Sequence, residues 1–190
     1  MWSKSLVHSF KRKELGMKPE FIIIISVVFA GCSFFSSGNY PPLETVPNVD
    51  VKKYLGKWYE IASLPFFQQK GCSCTTAEYE ILEDGVLKVT NTCKKSDGVD
   101  QAIGKAFVVE GTNNAKLKVQ FFWPFKGDYW IIDLAEDYSY AVVGVPSRKY
   151  CWILSRTTTM DDQTYNGIIE RVKAKGFDST QFNKTVHNCP

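Results

Sequence analysis

Short apolar runs bounded by turn residues follow one another along the chain, at 57–64, 74–82, 86–93, 103–110, 116–123, 129–134, 140–145 and 150–156. Many short strands with no helices between them predict a sandwich or a barrel. The second and third runs also fix a register. Glu83-Asp84-Gly85 marks a turn, and a three-residue loop there pairs Leu82 with Val86. Thr75, Ala77, Tyr79 and Ile81 then share a face with Leu87, Val89, Asn91 and Cys93. The other face carries Thr76, Glu78, Glu80, Lys88, Thr90 and Thr92, with Glu80 opposite Lys88. A two-residue loop would set Glu80 across from Val89 and mix polar with apolar on both faces, so the longer loop is expected.

The fifth run repeats the alternation, with Leu117, Val119, Phe121 and Trp123 on one side and Lys116, Lys118 and Gln120 on the other. One greasy face per strand suits a closed barrel with an apolar interior, and eight strands leave room for one small ligand. A single helix follows. Asp161 or Asp162 can cap its start, Tyr165, Ile168, Ile169 and Val172 form an apolar stripe, and Gly176 supplies the stop. That stripe needs a surface, and a barrel wall is the one on offer. The expected fold is therefore all-β: an eight-stranded antiparallel up-and-down barrel with one C-terminal helix packed outside.

Ahead of the barrel the pattern changes. Basic residues precede an uninterrupted apolar stretch, Phe21 to Ala30, too short to span a bilayer but suited to the core of a signal peptide. Translation from Met1 and from Met17 are both compatible with it. Residues 32–49 are rich in serine, proline and glycine and read as a tether. The expected organisation is thus a leader over 1–31, a tether over 32–49 and one folded domain over 50–190. Charge follows the same division. Lys4, Lys11, Arg12, Lys13 and Lys18 against Glu14 and Glu20 account for the whole formal charge of +3, leaving the remainder neutral. A neutral domain lacks the basic face that nucleic-acid binding requires.

Histidine is scarce: His8 is in the leader and His187 is three residues from the end, which disfavours a hydrolytic triad. Cys72-x-Cys74 lacks partners for a tetrahedral metal site, so neither metal nor cofactor is expected. Without Cys32, five cysteines remain, namely Cys72, Cys74, Cys93, Cys151 and Cys189, and this usage points to an oxidising compartment. Cys74 sits on the outward phase of its strand, where a returning tail can meet it. Cys93 lies at a hairpin end near the loop bearing Cys72. Asn183-Lys184-Thr185 matches a glycosylation sequon, which has meaning only in a source that secretes through an endoplasmic reticulum.

Gly56-Lys57-Trp58-Tyr59 opens the first strand, Asp137-Tyr138 precedes the seventh, and Arg156 closes the eighth. Together with the strand count and the single late helix, these motifs resemble the lipocalin family over residues 50–190, and in particular its bacterial lipoprotein and apolipoprotein D types. The resemblance implies that Trp58 plugs the closed end of the barrel and that Arg156 lies across it. Gly56, Trp58, Tyr59, Asp137, Tyr138 and Arg156 are then structural. It also implies a cavity lined by Tyr79, Asn91 and Trp152, to which alternation adds Phe107, Val119, Phe121 and Trp123; a solid core built of the same residues is the competing expectation. A Cys74–Cys189 bridge follows from the tail Asn188-Cys189-Pro190, which resembles that of apolipoprotein D, with Cys72–Cys93 as a second bridge and Cys151 left as a buried thiol.

Phe29-Ala30-Gly31-Cys32 resembles the lipobox of bacterial lipoproteins, with Phe29 where leucine is usual. Cys32 would then be the lipidated (palmitate-bearing) residue, and Ser33 after it resembles lipoproteins sorted to the outer membrane. The implied protein is a non-enzymatic carrier of a fatty acid, lysophospholipid or similar hydrophobic small molecule, anchored to the outer membrane and facing the periplasm. Two alternatives stand beside it: a secreted, unanchored lipocalin, and a lipocalin-derived enzyme acting through Cys151 on a lipid or pigment.

Overall fold

The computed structural model describes residues 40–82 and 86–189. The expected leader, Cys32, the first part of the tether and the Glu83–Gly85 turn lie outside them. A one-turn helix α1 (Val51–Tyr54) leads into eight strands: β1 (Gly56–Ser63), β2 (Ser73–Ile81), β3 (Leu87–Lys95), β4 (Gly98–Val108), β5 (Lys116–Phe122), β6 (Phe125–Leu134), β7 (Tyr140–Gly144) and β8 (Cys151–Ser155). Each pairs antiparallel with the next, and β8 returns to β1 with Tyr59 opposite Ser155, which closes the barrel. The expected β2–β3 register holds: Leu82 N–H donates to the Val86 carbonyl at 2.7 Å, and Glu80 faces Lys88 and pairs with it at 3.0 Å.

The core has two parts. Inside the barrel, Trp58, Tyr79, Val89, Leu117, Ile131, Val143 and Leu154 pack together. Outside, Ile61, Ala62, Ile132, Val142, Cys151 and Ile153 lie beneath Ile168 and Val172 of helix α2 (Asp162–Ala174). Strands β7 and β8 are therefore covered on both faces, which is why YAVVG and CWILS read as unbroken apolar runs. Helix α2 begins where the Asp161 carboxylate accepts from Thr164 N–H at 2.8 Å. It stops at Gly176 (φ +87°), where Phe177 N–H reaches back to the Val172 carbonyl at 3.1 Å.

Three features depart from the sequence expectation. The fourth and sixth strands begin earlier than their apolar runs, at Gly98 and Phe125. Their early residues project past the barrel with both faces wet, so no alternation marks them; Gly98 to Ile103 are all exposed. The expected tether is docked over its last part. Leu43 and Val49 are buried, and Val46 N–H donates to the Ile131 carbonyl at 3.0 Å. The third feature is a two-residue strand β9 (Asn183–Lys184) that pairs with β1 at Ser63 and Ala62.

Candidate ligand cavity

The closed end is built around Trp58, which is fully buried. Its indole Nε1 donates to the Tyr54 carbonyl at 2.8 Å, and the Arg156 guanidinium carbon stands 3.6 Å from its ring centroid. Arg156 also donates to the Lys57 carbonyl at 2.8 Å and the Lys53 carbonyl at 2.7 Å. Two carbonyls left over at the end of α1 are thus satisfied by the plug itself. Gly56 turns the chain between them at φ +86°, a backbone region that L residues with side chains seldom adopt. Tyr138, also at positive φ, accepts from Asp50 N–H at 2.8 Å and ties the β6–β7 turn to the base. Hydrogen bonds from the Ser139 side chain and from Ser139 N–H (3.0 Å) hold the Asp137 carboxyl's pKa below the usual carboxylate range. Tyr59 faces outward, against His187.

Above the plug three tyrosines meet. Tyr129 shares its hydroxyl with those of Tyr54 (2.8 Å) and Tyr79 (2.7 Å), and burial pushes all three phenols up in pKa. Several inward positions around them are small or sparse: Ala77, Asn91, Gly104 and Ala106. A hollow of about 610 Å³ opens at the far end, within the span of ~300–1,000 Å³ common for small-molecule sites. Its wall includes Glu60, Ser63, Gln69 and Thr75, with Phe66 and Tyr150 at the loops.

A bulge makes this wall polar. β1 shifts register between Glu60 and Ala62, so Glu60 opposes interior Leu154 while Ile61 and Ala62 both turn to the helix side. The Glu60 carboxylate accepts from Gln69 Nε2 at 2.6 Å, Thr185 Oγ1 at 2.7 Å and Ser63 Oγ at 3.1 Å. The C-terminal tail thereby enters the site. Beyond Tyr59, β1 leaves β2 and pairs with β9 instead, and Cys74 N–H donates to the Val186 carbonyl at 2.8 Å. The tail fills the gap and is held there by the Cys74–Cys189 disulfide. A second disulfide joins Cys72 to Cys93.

None of the seven residues expected to line the cavity borders this hollow, and they divide as follows. Tyr79 is buried at the base, and Val119, Phe121 and Trp152 pack against the interior core. Asn91 sits opposite Ala77 on the interior phase. Phe107 does not join them. It pairs with Lys118 on the outer face, and the Lys126 ammonium lies 3.9 Å from its ring centroid. The inward positions of β4 are Ala106 and Val108, the opposite phase to the one expected. Trp123 stands at the tip of the β5–β6 hairpin, 86% exposed. With Phe121 it borders a smaller hollow of about 370 Å³, where the β4–β5 pairing ends.

Sequence reasoning missed Glu60, Gln69 and Thr185. For Glu60 a signal was present, since it shares strand phase with Trp58 and a charge in an inward phase is unusual. Among the described residues, neither the Cys151 thiol nor the His187 imidazole lines the hollow. Cys151 lies under α2, and burial drives its thiol well above the usual range; His187 holds the Glu60 carbonyl through Nε2 at 2.7 Å.

An antiparallel barrel, plugged by a tryptophan–arginine pair at one end and hollow at the other, has the architecture of a small-ligand container. The model of the lipocalin-like domain matches residues 49–187, and the chain belongs to that family. It is 38% identical to the outer membrane lipoprotein Blc of Vibrio cholerae, over 87% of this chain and 96% of that protein. It is 35% identical to apolipoprotein D of Macaca fascicularis, over 79% of this chain and 82% of that protein. Insecticyanin of the tobacco hornworm Manduca sexta shares the fold, with a TM-score of 0.65 at 21% identity, covering 80% and 87% of the two chains.

Proposed function

We propose that the protein is a lipid carrier that holds one fatty acid, lysophospholipid or similar single-chain amphiphile and does no chemistry on it. The observation that carries this reading is the open-ended hollow above an apolar interior. Burying ~15 methylenes at roughly 0.8 kcal/mol each gives ~12 kcal/mol gross. Association costs of several kcal/mol leave micromolar to nanomolar affinity. The family membership supports ligand binding in the same place.

The carrier is tethered by lipidated Cys32 to the outer membrane, facing the periplasm, after cleavage of a leader over 1–31. The lipobox-like Phe29–Cys32 and the similarity to Blc, an outer membrane lipoprotein, support the anchor. A triacylated terminus holds durably where a single chain would not. The tether keeps the carrier beside the membrane that supplies its cargo.

Titrating intrinsic tryptophan fluorescence with a long-chain fatty acid tests the carrier reading, followed by mass spectrometry of co-purified lipid. Saturable quenching and chemically unchanged lipid are expected; a solid core gives no saturation, and altered lipid indicates an enzyme. The Cys32→Ser protein should move to the soluble fraction. If it stays with the membrane, or the native N-terminus lies elsewhere, a secreted lipocalin replaces the anchored one.

A further inference from the structure

Glu60 is an odd residue for a lipid container. Its carboxylate is on the interior side of β1, 5% exposed, and borders the hollow. All three of its donors, Ser63, Gln69 and Thr185, are neutral, and among the described residues no basic side chain pairs with it. A buried charge without a counter-charge is costly, and sequences keep one where something else supplies the balance.

The surroundings indicate what that something is. Phe66 meets Tyr150 edge-on at 5.0 Å and Trp152 at 5.8 Å, while Tyr150 stacks on Trp152 at 6.0 Å. Phe66 and Tyr150 border the same hollow as Glu60. Trp152 Nε1 donates to Gln69 Oε1 at 3.2 Å, which turns the Gln69 amide so that its Nε2 points at Glu60. Thr75, 6% exposed, lines the hollow as well, and its hydroxyl has no hydrogen-bond partner among the described residues. Aromatic faces beside a carboxylate are the chemistry that recognises an alkylammonium. Two lysines also border the hollow. Lys184 is directed outward, 4.4 Å from the Tyr165 ring and 3.8 Å from Asp162, and Lys70 is solvent-exposed on the rim loop.

We infer that the open end is a head-group subsite for a positively charged ammonium, with Glu60 as its counter-charge and Phe66 and Tyr150, backed by Trp152, as its apolar walls. The inference rests on the carrier reading and sharpens it, because a fatty-acid carboxylate at that depth would face Glu60 with like charge. The C-terminal tail is part of this subsite through Thr185, so the Cys74–Cys189 bridge helps to fix ligand selectivity.

Three tetradecyl probes that differ only in head group test it: trimethylammonium, alcohol and carboxylate, each titrated below its micellar range against the full-length protein by tryptophan quenching. The ammonium should bind at least about tenfold tighter than the alcohol, and the carboxylate no tighter than the alcohol. Glu60→Gln should abolish the preference, bringing the ratio of ammonium to alcohol affinity to within about twofold of one. The head-group comparison on the unaltered protein stands by itself should the variant fold poorly. Equal binding of ammonium and alcohol, tighter binding of the carboxylate, or an unchanged preference in Glu60→Gln overturns the subsite while the carrier reading survives. If none of the three binds, the carrier reading fails and the subsite with it.

Discussion

Arg156→Ala removes the brace across the barrel floor, and its cost follows from the contacts. The guanidinium loses its place 3.6 Å from the Trp58 ring centroid and its bonds to the Lys57 and Lys53 carbonyls. A cation over an aromatic face contributes ~0.5–2 kcal/mol, and each bond from a charged donor contributes ~1.5–3 kcal/mol when dry. These two bonds are near the surface, where water replaces part of each, so about 1 kcal/mol apiece is the appropriate share. The expected loss is about 2.5–4 kcal/mol. Arg156→Lys keeps a cation over the ring but cannot reach two carbonyls at once, and should lose about half as much. Urea unfolding of the oxidised protein, followed by tryptophan fluorescence, measures both. With a slope near 2 kcal/mol/M, the midpoint should fall by about 1.2–2 M for Arg156→Ala, with the slope itself unchanged. A fall below about 0.3 M would refute the brace, because the contacts would then contribute nothing beyond what water supplies. A Trp58→Phe, Arg156→Ala cycle isolates the stacking share, with a coupling of roughly 1 kcal/mol expected.

Removing the hydroxyl of Tyr129 with Phe leaves those of Tyr54 and Tyr79 without their shared partner and should cost about 1–3 kcal/mol in the same unfolding assay. These three phenols are raised in the fold, so the unfolded chain sheds their protons first. Their contribution is therefore complete below about pH 10 and is lost as pH climbs beyond it, which absorbance titration should show as a cooperative, late tyrosine ionisation. Cys151 should resist iodoacetamide in the native protein at pH 8 and react once urea unfolds it, because its thiol is buried under α2 with a raised pKa. Cys189→Ser frees the tail from a link spanning 115 residues; loop entropy alone sets an upper value near ~4.7 kcal/mol, and a loss of several kcal/mol together with a weakened ammonium preference is expected.

How much of this was legible in the chain depended on whether the deciding forces were local. The β2–β3 register was readable because alternation and the Glu80–Lys88 pair act between neighbouring strands across one turn. Helix α2 was readable because its cap, stripe and glycine stop all lie within its own residues. The plug residues were readable through motif resemblance, although their bonds to the α1 carbonyls were not. Phe107 was misplaced because alternation by itself does not say which phase of β4 faces inward; the close approach of Gln120 and Phe121 at Gly104 favours small residues inside, and the Lys126 ammonium covers Phe107 outside. The open strand ends of β4 and β6 carried no signal, since both faces meet water there. The composition of the cavity wall was decided by tertiary structure alone. Alternation from Trp58 points Glu60 inward, but one extra residue at the β1 bulge turns Ala62 out beside Ile61 and brings Ser63 to the hollow, and a tail that is remote in sequence supplies Thr185 to the same carboxylate. No local pattern encodes either, because each depends on which distant backbone fills the gap where β1 parts from β2.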